Sequence, residues 1–423
     1  MKLIHIVSTA LMLFPLQVSA IDASELSSHI KLTISKTVRT TPSDTLGNIG
    51  LPFPYSVPCI RDGFQNMFYW DTYFTNLGLL IDGDFKQARN NIVDIAAMVS
   101  RFGYMPNATH RDLLNRSQPP YLALMLEDYY KATGDSDFLR QTLPAVEREY
   151  DFWMKERITP CGLNSYGHSA TREELVDFYN GLAHRVGENS SVAMSSEERQ
   201  KKGAHLLAEA ESGWDFNPRF ERRCMDYCPV DLNSLLYAYE SFMQRYGNDK
   251  KKWEKRANKR LKLMRELMTD MTTGVMYDYD YVNSRMSPVV SAASWWPIWL
   301  GISTNGSEVL LRCLEAPHGM HTCDPTKAKG IYQWDAPNGW SACQYAAYMA
   351  LDRIGREDDA KRIAKKYVDS IVDIYNATGQ LWEKYNVAEG SVNVKNEYPM
   401  PGEFMGWTAG VFQHAFKFLN IIK

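Results

Sequence analysis

Apolar residues recur at three- and four-residue intervals along most of the chain. In PPYLALMLEDYYKAT they fall at Leu122, Met125, Leu126 and Tyr129, one stripe of a helix with 3.6 residues per turn. VDLNSLLYAYESFMQRY, NGWSACQYAAYMALDRI and DAKRIAKKYVDSIVDIY repeat that spacing. Period-two alternation, the mark of a half-buried strand, is scarce. The pattern predicts an all-α fold.

Glycine-polar turns separate the helical stretches, at Gly83, Gly134, Gly247 and Gly355. A glycine there suits the left-handed end of one helix, and the acids that follow suit the start of the next. With Gly187 and Gly306 included, the intervals are 51, 53, 60, 59 and 49 residues. Such a period predicts six helical hairpins in sequence, closed as an α/α toroid, with an open solenoid as the alternative. The unusual polar-aromatic segments follow these glycines by 28 to 38 residues. One helix accounts for most of that offset, so one rim of the toroid should gather nearly all of them, opposite the glycine turns.

The ends of the chain add a destination. MKLIHIVSTALMLFPLQVSA has a basic start at Lys2, an apolar run from Ile4 to Leu16 and small residues at Val18, Ser19 and Ala20. This reads as a secretory signal peptide over residues 1–20, and the protein is expected to be secreted or periplasmic. Residues 21–50 read as an N-terminal extension and 51–423 as the catalytic domain. No later run is long enough to span a membrane. A net charge of −3 points to neither nucleic acid nor an anionic membrane. Seven cysteines are present, and Cys313 with Cys323 is the expected bridge. Cys224 and Cys228 lack a neighbouring Cys or His cluster, so no metal is expected. Five Asn-x-Ser/Thr sequons, at Asn107, Asn115, Asn189, Asn305 and Asn376, matter only in a glycosylating host. Asn107 and Asn115 lie in segments where a glycan would obstruct a site, which favours a bacterial setting.

The chemistry lies in a few segments. SVPCIRDGFQNMFYWDTYF holds Arg61, Trp70 and Asp71. YMPNATHRDLLNRSQPP holds Asn107, Arg111, Arg116 and Gln118. SATREELVDFY holds Arg172 and Glu174, ESGWDFNPRF holds Asp215 and Arg219, and QWDAPNGW holds Trp334, Asp335, Asn338 and Trp340. GQLWEKYNVAEGSVNVKNEYPMPGEFMGW adds Trp382, Glu383, Glu397 and Trp407. There is no recognisable Ser-His or Cys-His pair, phosphate loop or dinucleotide fingerprint. Tryptophan beside a carboxylate, with Arg, Asn or Gln nearby, is the mixture a sugar needs. Aromatic faces cover the C–H side of the ring while the polar groups bind hydroxyls. Two carboxylates then suffice for hydrolysis without metal or cofactor. For each segment taken alone, the plainer reading is a core tryptophan and a helix-capping acid; for Asp215 that means an N-cap.

These segments resemble, in order, the trehalase family of glycoside hydrolases. QWDAPNGW is similar to one family signature and FYWDTYF to the end of another; NRSQPP, ESGWDF, CPVDLNSLLY and MGWTAGV match further segments, from about Leu51 to the C-terminus. The resemblance implies an (α/α)6 toroid and inverting hydrolysis of α,α-trehalose to two glucoses by a monomer without cofactor. It implies Asp215 as general acid and Glu383 as general base. Arg61, Trp70, Asp71, Asn107, Arg116, Ser117, Gln118, Arg172, Glu173, Glu174, Gly213 and Glu397 become sugar contacts. Another α-linked glucose disaccharide, or sugar binding without catalysis, are the alternatives. The chain departs from the family in three places. Asp62-Gly63 is inserted after Arg61, AEGSVNVKN replaces a glycine-rich loop before Glu397, and a family Arg falls on His110, with Arg111 one step off. The second change predicts a stiffer lid, because Val392 and Val394 restrict the backbone where glycines would free it.

Overall fold

The computed structural model describes residues 20–421 except 190, 329 and 402. Apart from Ala20, the expected signal peptide lies outside the described residues. Fourteen α-helices occur among them: α1 (Ala23–Thr33), α2 (Tyr69–Asp82), α3 (Phe85–Phe102), α4 (Leu122–Thr133), α5 (Ser136–Glu156), α6 (Arg172–Leu182), α7 (Ser196–Glu211), α8 (Val230–Tyr246), α9 (Lys250–Met268), α10 (Trp296–Trp299), α11 (Ser307–Leu314), α12 (Ser341–Arg353), α13 (Glu357–Thr378) and α14 (Gly406–Ile421). The strands are two or three residues long and pair as short antiparallel ladders.

Helices α2, α4, α8, α10, α12 and α14 pack side by side, and α14 returns to α2 to close a ring. Their sequences explain their place inside. In α2, every residue from Tyr69 to Leu79 is buried, as required of a helix covered on all sides. Helices α3, α5 and α13 bury one stripe each, such as Ile92, Ile95 and Val99 in α3, and lie outside. Closure depends on glycine. A Cβ on Gly78 would come within 2.8 Å of Gly410 Cα, and one on Gly410 within 2.0 Å of the Phe74 carbonyl oxygen. The α2 and α14 backbones therefore approach more closely than any side chain permits.

The turns follow the expected chemistry, with exceptions. Gly83 and Gly134 end α2 and α4 in the left-handed conformation. Asp84, Asp135 and Asp249 then cap α3, α5 and α9 by accepting from backbone N–H groups. Gly247 ends α8 with φ at −78°, so no left-handed residue is needed there. Gly187 ends the short turn Ala183–Val186, between α6 and α7. Those two helices pack on each other, over a separate small core of Tyr179, Ala183, Val186, Leu206, Phe216 and Tyr332. They form an insertion beside the ring. The sixth pair comes from the chain ends instead: α1, within the expected N-terminal extension, packs on α13 and α14. The expected Cys313–Cys323 bridge is absent and all seven thiols are free. Cys323 is buried with its Sγ on the Trp334 carbonyl oxygen.

Candidate active site

The inner helices α2, α4, α12 and α14 begin at one rim, and the glycine turns lie at the other. A cavity of about 790 Å³ opens on the first rim. Its wall includes Trp70, Trp334, Trp340 and Trp407, and Asp71, Asn107, Arg116, Gln118, Gly213, Asp215 and Glu383 also face it. Trp334 and Trp340 stack with ring centres 3.7 Å apart, and Trp70 leans on Trp334 at 5.4 Å. The volume suits a small ligand.

Asp215 follows α7 through a tight bend. Gly213 has φ +76°, and a Cβ there would sit 2.8 Å from the Trp70 indole. Gly213→Ala should therefore cost about 1–3 kcal/mol in stability and lower activity by displacing Trp70. Thermal unfolding and steady-state kinetics on the purified variant check both. No helix begins at Asp215: the next, a short 3-10 turn, starts at Cys224, which removes the N-cap reading. Burial pushes the Asp215 carboxyl above its ordinary range, while Arg185 and Arg116 oppose that rise. Arg185 Nη2 lies 3.2 Å from Asp215 Oδ2. Arg219, in the same decapeptide, is structural. It donates to Asp231 and Asp278 and covers the Trp214 ring.

Glu383 is held by the other signature. QWDAPNGW forms the strand Asn338–Trp340, which pairs with Lys384–Asn386. That ladder fixes Glu383 at the cavity wall, and Trp407 Nε1 donates to its carbonyl oxygen at 3.0 Å. Both carboxylate oxygens are engaged. Tyr398 OH donates to Oε1 at 2.6 Å and Lys384 Nζ to Oε2 at 2.7 Å. Lys384 is fully buried, its ammonium over the rings of Trp340 and Tyr398.

The remaining residues divide into three groups. Burial, reinforced by the charges of Glu383 and Asp215, pushes Asp71 up to about 8. It is thus protonated at neutral pH and can donate a hydrogen bond. Arg116 is lowered to about 10 by burial and stays charged; its Nε is buried with no protein partner among the described residues. Gln118 Oε1 accepts from Trp70 N, and Asn107 Nδ2 donates to the Ser117 carbonyl oxygen. Ser117 is a support. Its N–H donates to buried Glu211, which also accepts from Arg157 and Gly167 N. Glu397 accepts from Gln333 N at 2.8 Å and Arg185 Nε at 2.7 Å, and burial pushes it up to about 7.

Four expected contacts lie elsewhere. The Arg61 side chain is 74% exposed and pairs with Glu403. The inserted Asp62-Gly63 reaches the cavity wall instead. Arg172 and Glu173 line a separate open groove of about 1090 Å³ against α7. Glu174 closes the capping box of α6 by accepting from Thr171 N. A second guanidinium in the site, beside Arg116, comes from Arg185, thirteen residues beyond Arg172. No motif in LAHRVGEN marks it. Lys384 and Tyr398 were also missed, although each adjoins a selected glutamate. The replaced loop is anchored by hydrogen bonds to the signature segment and within itself. Asn338 Oδ1 accepts from Lys395 N, Lys395 Nζ donates to the Ala336 carbonyl oxygen, and Asn386 holds the backbone at Ala388 and Asn393.

A closed double ring of helices, with two carboxylates facing one tryptophan-walled cavity at the inner-helix N-termini, defines a glycoside hydrolase of the (α/α)6 class. The chain belongs to the trehalase family, whose model matches residues 16–420. It is 30% identical to periplasmic trehalase of Escherichia coli over 407 residues, covering 88% of this chain and 69% of the relative. Against periplasmic trehalase of Pseudomonas aeruginosa it is also 30% identical, with coverages of 85% and 70%. Neutral trehalase Nth1 from Saccharomyces cerevisiae superposes with a TM-score of 0.74 at 23% identity, covering 93% of this chain and 80% of that one. A mannosylglycerate hydrolase from Thermus thermophilus shares the fold, with a TM-score of 0.65 at 15% identity and coverages of 92% and 99%. No helix among the described residues is long and apolar enough to cross a membrane.

Proposed function

We propose that this enzyme hydrolyses α,α-trehalose to two glucoses with inversion, Asp215 acting as general acid and Glu383 as general base. The observation that carries this reading is that two carboxylates from distant segments face one tryptophan-walled cavity. Burial raises Asp215, favouring the protonated form that an acid needs. Glu383 pairs with a fully buried lysine and accepts from Tyr398, so its carboxylate is held in place at the cavity wall. Asp215 gives its proton to the bridging oxygen as the C1–O bond breaks. Glu383 takes a proton from the water that attacks C1 from the opposite face. The stacked tryptophans cover the sugar's C–H face. Neutral Asp71, Gln118 and the Arg116 side chain at the cavity wall offer the hydroxyls directional partners. The leader sequence, together with relatives named as periplasmic, supports export from the cytoplasm.

Inversion leaves a stereochemical signature. Each bond cleaved should release one β-glucose and one α-glucose, because only the attacked carbon changes configuration. Proton NMR of trehalose within the first minutes of reaction should show the β-anomer well above the amount that mutarotation has produced. Release of α-glucose alone would exclude Glu383 as a base, and an inert mixture would exclude trehalose as the substrate.

A further inference from the structure

Cys161 and Cys228 lie 67 residues apart in sequence. Their sulfurs are nonetheless 3.6 Å apart. Cys161 is half-buried on the exposed turn that follows α5, beside exposed Pro160 and half-buried Gly162. Cys228 is fully buried in the strand Tyr227–Cys228 that leads into α8. The Thr159 hydroxyl touches both sulfurs, at 3.2 and 3.5 Å. We propose that Cys161 and Cys228 form an oxidisable dithiol that closes to a structural disulfide, stapling the segment after α5 to the start of α8. This proposal is independent of the substrate reading.

The two thiols are set up for different parts. Cys161 is reachable from solvent, and the hydrogen bond from Cys228 lowers its thiol to about 6, so at neutral pH it is largely thiolate. The thiolate is the attacking species in disulfide exchange. Burial pushes the Cys228 thiol well up, so it is protonated and inaccessible to an external oxidant. With glutathione disulfide as oxidant, the Cys161 thiolate attacks one glutathione sulfur. The glutathione S–S bond breaks, and the first glutathione leaves as thiolate. Cys228 then loses its proton and attacks Cys161 Sγ. The Cys161–Cys228 bond forms and the second glutathione leaves. Two protein sulfurs are oxidised and one glutathione disulfide is reduced; the Cys228 proton and one from solvent end on the two glutathione thiols. A bonded pair needs its sulfurs about 2.05 Å apart, so the turn at Cys161 must move inward. Gly162, with φ +88°, gives that turn room to adjust.

The staple would act on the pedestal of the site. The stretch after α5 carries Arg157 and Gly167, which hold Glu211, and Glu211 holds Ser117 N between Arg116 and Gln118. Closing a long loop restricts the unfolded chain without changing the cavity wall. The bridge should therefore raise thermal stability and leave kcat on trehalose unchanged.

The full-length enzyme is incubated with glutathione disulfide, denatured in acid, alkylated and analysed by mass spectrometry. The proposal expects a product with five alkylated cysteines where the reduced protein has seven, a linked peptide containing Cys161 and Cys228, and a midpoint of thermal unfolding higher by several degrees. Cys161→Ser should lose both the linked peptide and the shift. Seven alkylated cysteines after oxidation would overturn the proposal. So would a glutathione adduct that persists on Cys161, which would mean that Cys228 cannot reach it. A linked peptide with an unchanged midpoint would overturn the stapling role.

Discussion

Asp215→Asn, purified and folded, hydrolyses trehalose about 10³-fold or more slowly than the parent enzyme, the upper range for losing one general acid. Asparagine keeps the size of the side chain and a contact for Arg185, so the wall of the cavity stays in place. What it removes is the proton for the departing oxygen. The loss therefore falls on kcat far more than on KM. Glu383→Gln brings a similar loss for a different reason. The amide cannot take a proton from the attacking water, and it brings no negative charge to Lys384 Nζ, which paired with Oε2. That variant leaves a buried ammonium without its charge partner, at a cost of about 3–5 kcal/mol. Thermal unfolding should show it less stable than Asp215→Asn. Steady-state kinetics and circular dichroism on both proteins test the pair, and substantial turnover in either would remove that residue from its role.

Arg185→Ala should be the next most damaging change after those two, about 10²-fold in kcat/KM. Its guanidinium spans Asp215 Oδ2 and Glu397 Oε2, so it joins the acid to the lid loop. The pH dependence distinguishes this role from a merely structural one. Asp215 is raised in the folded enzyme by burial, and Arg185 holds that rise in check. Removing the cation lifts Asp215 further. The alkaline limb of the pH–rate profile, where the acid loses its proton, then moves to higher pH. Arg185→Lys should restore part of the limb's position but not the bidentate geometry. A profile unmoved in the alanine variant would disconnect Arg185 from Asp215 during turnover.

Much of the molecule was legible before folding. The 3.6-residue stripes, the capping aspartates and the segment order pointed to a helical toroid with its polar-aromatic segments on one rim. Asp215, Glu383, Trp70, Asp71, Asn107, Arg116, Gln118 and Gly213 do meet at one cavity there. Trp70 and Asp71 lie in the first turn of α2 and Arg116 and Gln118 just before α4, while Asn107, Gly213, Asp215 and Glu383 sit in the connections after α3, α7 and α13; all lie close in sequence to a helix end, so the helix pattern fixes their rim. Arg61, Arg172, Glu173 and Glu174 were placed by a motif whose surroundings had changed. An insertion after Arg61 and a helix start at Arg172 turn those side chains to solvent, a groove and a cap.

By itself, then, the sequence determined the helices, their turns and the two carboxylates, because hydrophobic period, capping chemistry and signature segments are all local. Tertiary structure alone decided that the ring closes through Gly78 and Gly410, that α1 completes the outer layer, and that Arg185 adds a second guanidinium to the site beside Arg116. It also decided that Lys384 and Tyr398 hold Glu383, and that Cys161 meets Cys228 rather than Cys313 meeting Cys323. Each of these is a contact between distant segments. Its occurrence depends on backbone approach and side-chain direction in three dimensions, which no spacing along the chain encodes.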